Sequence, residues 1–144
     1  MTPAIAHGDE LHSPYAHLAD ALLEGVARAG NGHFLSIRAD GSQARMPWQH
    51  SLARAWNMVA ALQAEGLAPG AALVLRLREA DEIVSSIHAG ILGGYVIVPM
   101  TGRLEQPLPA TVTAHFPQCL DLDATAFQRL CAATAPLPDA SVRG

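Results

Sequence analysis

The chain has 144 residues, 50% of them hydrophobic, 15% charged and 5% aromatic, a composition that supports one compact domain and excludes a disordered polymer. Nine basic against thirteen acidic residues give a formal charge of -4 and a pI near 5.9, so there is no electrostatic footprint for a phosphate backbone and no nucleic-acid partner is expected. All nine basic residues are arginine, and a chain without lysine cannot form a Schiff base, build a Walker-type phosphate site or run a lysine-dependent transfer step.

Residues 1–13 read as an N-terminal extension, with neither the basic n-region nor the apolar h-region of a signal peptide, so the expected compartment is cytoplasmic. Ser13 before Pro14 is an N-cap pattern, and Leu18, Leu22, Leu23 and Val26 recur at helical spacing, which predicts a first helix over 14–29. Gly30-Asn31-Gly32 ends it. Two short strands, 34–38 and 44–46, flank Asp40-Gly41, a strong hairpin turn. Pro47 opens a second helix whose face carries Leu52, Ala55, Trp56, Val59 and Leu62 or Gln63, and Gly66 stops it; the stripe predicts packing on a sheet.

After Leu67-Ala68-Pro69-Gly70, residues 71–77 form an apolar run of the kind a parallel sheet buries on both faces. Glu79, Asp81 and Glu82 place acid in the first turn of a third helix, with Ile83, Val84, Ile87 and Ile91 on one side. Gly93-Gly94 terminates that helix, and 95–98 is a second β-branched strand ending at Pro99. The stretch 91–100 is the longest apolar run and only about half a membrane span, so no membrane association is expected. Strand, helix, strand closes by a right-handed crossover into a parallel pair. Residues 101–109 are loop-like, 110–115 a short helix, 118–122 a third parallel strand and 124–133 a last helix carrying Phe127, Leu130 and Cys131. The proline-bearing end, 135–144, reads as a linker or tail.

Few residues carry chemistry. Cys119 and Cys131 lack CxxC spacing and are expected as reduced, mostly buried thiols. His7, His12 and His17 are five apart, which does not align them on one helix face, and His33, His50, His88 and His115 are scattered, so no metal site is assigned. Asp121 and Asp123 flank Leu122 at a strand end; Asp123 fits a helix N-cap better than an acid/base pair. Arg76 and Arg78 leave their strand on one side, placed to grip an anion, although pairing with Glu79, Asp81 or Glu82 accounts for them better. Ser51, Ser85 and Ser86 sit inside helical patterns with no elbow to expose a nucleophile, and Trp48 and Trp56 are expected as core or cap aromatics.

Pro47-Trp48 opening a helix, Gly66-Leu67-Ala68-Pro69-Gly70 closing it, and Ile91-Leu92-Gly93-Gly94-Tyr95-Val96-Ile97-Val98-Pro99-Met100 together resemble the N-terminal part of the adenylate-forming superfamily. That superfamily comprises acyl-CoA synthetases, fatty acyl-AMP ligases, luciferases and adenylation domains of nonribosomal peptide synthetases. Pro47 stands where the family prefers Ser or Thr, and Gly93 where it often has Ala. The resemblance implies a small three-layer α/β subdomain over 14–134, with a parallel sheet, an N-terminal helix and a β-hairpin. The family's Ser/Thr/Gly-rich phosphate loop, its later ribose-binding Asp and its terminal lysine have no counterpart here, so no catalytic or cofactor residue and no cofactor is expected.

The resemblance also implies that later parts of complete enzymes cover this segment, which predicts a homodimer or docking on a neighbouring synthase domain. The expected contributors are Leu18, Leu22 and Val26, or Leu52, Trp56 and Val59, and the edge of the hairpin. Residues 101–133 folding back to seal the core is the monomeric alternative. An excised N-terminal piece of an acid-activating ligase, or an unrelated small α/β binding protein, are the other readings.

Overall fold

In the computed structural model, which describes residues 13–100 and 106–132, the chain runs α1 (Leu18–Ala29), β1 (His33–Ile37), β2 (Gln43–Pro47), α2 (Trp48–Ala64), β3 (Ala72–Leu75), α3 (Ala80–Gly93), β4 (Val96–Pro99), α4 (Ala110–His115), β5 (Cys119–Leu122) and α5 (Ala124–Ala132). The extension before Ser13, with His7 and His12, the start of the 101–109 loop and the 135–144 tail lie outside the described residues. β1 and β2 form the predicted antiparallel hairpin, with Gly41 at φ +83 in its turn, where Asp40 Oδ1 accepts the Ser42 N–H at 2.8 Å.

The main sheet has the order β4-β3-β5, and both pairs are parallel, with Leu73 level with Ile97 and Leu120. The expected pair of adjacent parallel strands with a helix crossing between them is present. Alternation along the strands sends Leu73, Leu75, Ile97, Leu120 and Leu122 into one core with α2, α3 and α5. Ala72, Val74 and Arg76 take the opposite face. There the Arg76 guanidinium donates to the Gln106 carbonyl, which ties the segment before α4 to that strand. At the other end of the strands, Gln118 clamps the turn before β3: its Nε2 donates to the Gly66 carbonyl and its Oε1 accepts the Ala68 N–H, each at 3.1 Å.

Several elements differ from the pattern in the sequence. α1 begins at Leu18, because Ser13 Oγ accepts the Tyr15 N–H at 3.2 Å in a local turn rather than capping a helix. β3 ends at Leu75, where the Arg76 side chain turns to its partners. α2 packs on the sheet as expected, sharing a core with Leu73, Leu75 and Leu122, but it is buried over Met58, Val59, Ala60, Ala61 and Leu62 in succession because α3 and α5 also enclose it. In α3 the expected apolar face is only partly turned inward: Ile83 packs against the core, Val84 and Ile91 are half-buried and Ile87 is 37% exposed, while Ser85, Ser86, His88 and Ala89 are buried. Small and hydroxyl side chains let α2 and α3 approach closely, which bulky isoleucines would prevent. The cysteines are half-buried free thiols, more accessible than expected.

Gly94 caps α3 in the left-handed conformation at φ 71. Gly93 is required for a different reason, since the Tyr95 ring folds back onto it and occupies the space of a Cβ. That ring position carries the Tyr95 hydroxyl to the Leu67 carbonyl at 3.3 Å, tying α3 to the turn before β3. Gly93→Ala is therefore expected to lower stability by about 1–3 kcal/mol through displacement of the ring. Thermal unfolding checks this, and an unchanged midpoint would show that the ring yields freely.

Candidate functional site

Two polar clusters lie between the helices, and both are built from residues far apart in the chain. The first joins α2 to α3: Ser51 Oγ lies 3.1 Å from Ser85 Oγ and 3.3 Å from His88 Nδ1. Ser51 and Ser85 are fully buried and His88 is 7% exposed. Burial pushes the His88 imidazole below its ordinary pKa, favouring the neutral ring. Sequence spacing did not join these residues, because position 51 and positions 85 and 88 meet only when α2 packs across α3.

The histidine forms one wall of an open cavity of about 260 Å³ between α1 and the α2–α3 pair. α1 supplies Ala21, Leu22, Gly25, Val26 and Ala29, and Trp48 stands opposite. Trp48 is held by Phe34 of β1, with ring centroids 4.8 Å apart, and its centroid is 6.1 Å from His88. Gly32 leaves room for the indole, which lies 3.2 Å from where a Cβ would stand. His88 is thus the polar member of an otherwise apolar lining.

The second cluster joins α2, α3 and α5. Arg54 Nη1 donates to Asp81 Oδ2 at 3.2 Å, and the same guanidinium lies 4.8 Å from the centroid of the Phe127 ring. Gln128 Nε2 donates to Glu82 Oε1 at 3.3 Å. Burial holds the Glu82 carboxyl above the ordinary glutamate pKa, aided by Asp81 and Glu79 and opposed by the Gln128 hydrogen bond and Arg54. Burial likewise raises the Cys131 thiol, which argues against a reactive thiolate. These groups fasten helices together.

Other sequence candidates resolve into structural roles. Arg76, 7% exposed, pairs through Nε with Asp121 at 2.9 Å and not with the acids of α3. Asp123 Oδ1 accepts the Ala126 N–H at 2.8 Å, the N-cap expected of it. His115 Nδ1 bonds the Thr111 carbonyl at 2.9 Å, and Ser86 Oγ donates to the Glu82 carbonyl at 2.8 Å. Among the described residues no group of three His, Cys, Asp or Glu side chains is placed to hold a metal ion, and no helix is long and apolar enough to cross a membrane.

Of the expected interface residues, Val26 and Val59 are 6% and 1% exposed and belong to the interior, where each helix meets its neighbours. Leu22, Leu52 and Trp56 are half-buried against the core, and Leu18 stands 66% exposed. Further exposed apolar side chains lie elsewhere: Leu35 and Ile37 on the outer side of β1, at 56% and 72%, and Ile87 on α3. β1 packs beside α3.

A raised Glu82 pKa favours the protonated form in the folded chain. Its contribution to stability is full below the unfolded-state glutamate pKa and is lost as pH rises through the higher folded-state value. Glu82→Gln keeps an acceptor for Gln128 without the charge. It is expected to raise the unfolding midpoint by a few degrees at neutral pH and to leave it unchanged well below the glutamate range. Thermal scans across pH test this, and a lower midpoint at neutral pH would show that the charge is stabilising in place.

No family model matches the chain, and no curated protein matches it in sequence. Solved structures do match. The McyG A-PCP structure complexed with phenylalanyl-adenylate aligns with a TM-score of 0.76 at 17% identity, over 94% of this chain and 26% of that one. The fatty acid AMP ligase from Legionella pneumophila gives 0.57 at 18% identity, over 65% of this chain and 16% of the ligase. The o-succinylbenzoate CoA synthetase from Bacillus subtilis, in complex with its acyl-adenylate intermediate, gives 0.57 at 18%, over 81% of this chain and 34% of the synthetase. The chain thus has the fold of one part of the acyl-adenylate-forming enzymes and spans between 16% and 34% of the length of these three.

Proposed function

We propose that the chain is a noncatalytic adenylation-type module, serving a structural or protein-interaction role in a polyketide or nonribosomal peptide assembly line. The observation that carries this reading is the fold likeness over 94% of the chain to 26% of a far longer adenylation protein, in a sequence with no lysine. Arg54 and Arg76 are engaged in ion pairs between elements, with Asp81 and Asp121. What the fold leaves for a partner is apolar surface. Leu35, Ile37 and Ile87 present it on the hairpin and on the outer face of α3. The partner in this proposal is a second copy of the chain or a neighbouring synthase domain; the module works in the cytoplasm and takes neither nucleic acid nor membrane.

A second reading is favoured by the same coverage figures: the chain is the first part of an ATP-dependent ligase that forms acyl-AMP, with its active site in other sequence. A Ser/Thr/Gly-rich loop and a terminal lysine encoded downstream in the gene support the ligase, and a different kind of domain supports the module.

The purified chain is expected to show no carboxylate-dependent pyrophosphate exchange above background. Light scattering across a concentration series is expected to show a mass rising from 15.1 kDa toward about twice that value. Replacing Leu35 and Ile37 together by lysine adds charge at exposed positions and is expected to hold the chain monomeric with its helical content intact. Exchange activity, or a constant monomeric mass with no binding to the adjoining domain of the parent assembly, overturns the proposal.

A further inference from the structure

The cavity beside His88 is unexplained by a scaffolding role, and its lining defines what it accepts. Its volume of about 260 Å³ exceeds the ~150 Å³ that accommodates benzene in an apolar protein cavity, so a substituted single ring has room. Trp48 offers an aromatic wall. Gly25 keeps the opposite wall open, since a Cβ there meets nothing within 4 Å. Among the described residues no arginine lines the cavity. A carboxylate ligand would therefore lose its hydration without gaining a counter-charge.

His88 supplies the polar contact. Its Nδ1 is committed to Ser51, which itself bonds Ser85, so the ring is fixed by two buried hydroxyls and Nε2 is the nitrogen it has to offer. A neutral imidazole carries one N–H. If Ser51 donates to Nδ1, then Nε2 donates outward; if Nδ1 donates to Ser51, then Nε2 accepts. A phenolic hydroxyl satisfies both arrangements, because it donates and accepts. We propose that the cavity between α1, Trp48 and His88 is a binding site for a small neutral phenol, its ring on the indole and its hydroxyl on His88 Nε2.

The test titrates p-cresol into the full chain while two-dimensional NMR follows the Trp48 indole N–H and the His88 ring nitrogens. Saturable shifts at both residues are expected, with a Kd of about 1 mM or tighter, the range of a well-held fragment of this size. Benzoate, the charged analogue, is expected to bind at least about tenfold more weakly. Gly25→Leu fills the cavity from the α1 side at a position where helix propensity improves, and is expected to abolish the shifts with the circular dichroism retained. Should that variant disturb α1, Ala21→Leu narrows the same wall. Absence of saturation by about 10 mM, shifts that persist in both filled variants, or benzoate binding as tightly as p-cresol, each overturns the proposal.

Discussion

Everything in this fold hangs on β3, four residues buried on both faces and bonded along both edges. A strand so placed can leave no backbone group unpaired, since each orphan would forfeit a hydrogen bond in a place water does not reach. Its flanks show how fully this is met: the Ala72 N–H goes to the Gln118 carbonyl, the Arg76 N–H to the Leu122 carbonyl, and the Ala71 and Leu75 carbonyls accept from Val96 and Met100. Because β4 and β5 must lie parallel to β3, the chain has to return twice to the same end of the sheet. The first return makes α3 and the second makes the connection held by Arg76. The Gln118 clamp and the Tyr95 hydroxyl then fix the turn that launches β3, so one end of the sheet is tied by side chains from both returns.

This dependence explains which features were legible in the sequence. Residues 71–77 stand out because a doubly buried strand must be continuously apolar, and Gly93-Gly94 and Pro99 punctuate the next strand equally clearly. The hairpin announces itself through Asp40-Gly41, where the left-handed glycine is a local requirement. Such signals are local, set by the residues themselves and their near neighbours. Helix starts were less legible, since Ser13-Pro14 satisfies a turn as well as a cap, and here the Ser13 hydroxyl takes the Tyr15 N–H in a turn.

The burial of the small polar face of α3 was illegible for a deeper reason. Hydrophobic periodicity assumes that the largest apolar side chains face inward, yet a crowded helix pair can be closer and better filled by Ser85, His88 and Ala89 than by Ile87. That exchange is available only if the buried hydroxyls and imidazole satisfy one another, which Ser51 makes possible from a helix 34 residues away. The same applies to Arg76 and Asp121. Their pairing depends on β5 lying beside β3, so the nearby acids of α3 looked like better partners in one dimension and are poorly placed in three. The candidate site was missed because it is a product of packing, with no motif of its own.

This packing also links fold to function. Placing the small polar face of α3 inside leaves Ile87 outside, on a helix beside a hairpin whose exposed strand carries Leu35 and Ile37. The two consequences of one packing choice are therefore a histidine beside an inner cavity and an apolar outer surface. They lie on different sides of α3 and make different demands. The outer surface loses free energy to water in proportion to its area and gains by being covered, whatever the exact partner. The cavity gains only from a molecule that matches His88 and fits against Trp48, because an ill-fitting occupant leaves the buried relay no better satisfied than water would. The proposed association and the proposed small-molecule binding are thus separable: replacing the hairpin leucine and isoleucine leaves the cavity lining untouched, and filling the cavity from Gly25 leaves the hairpin untouched.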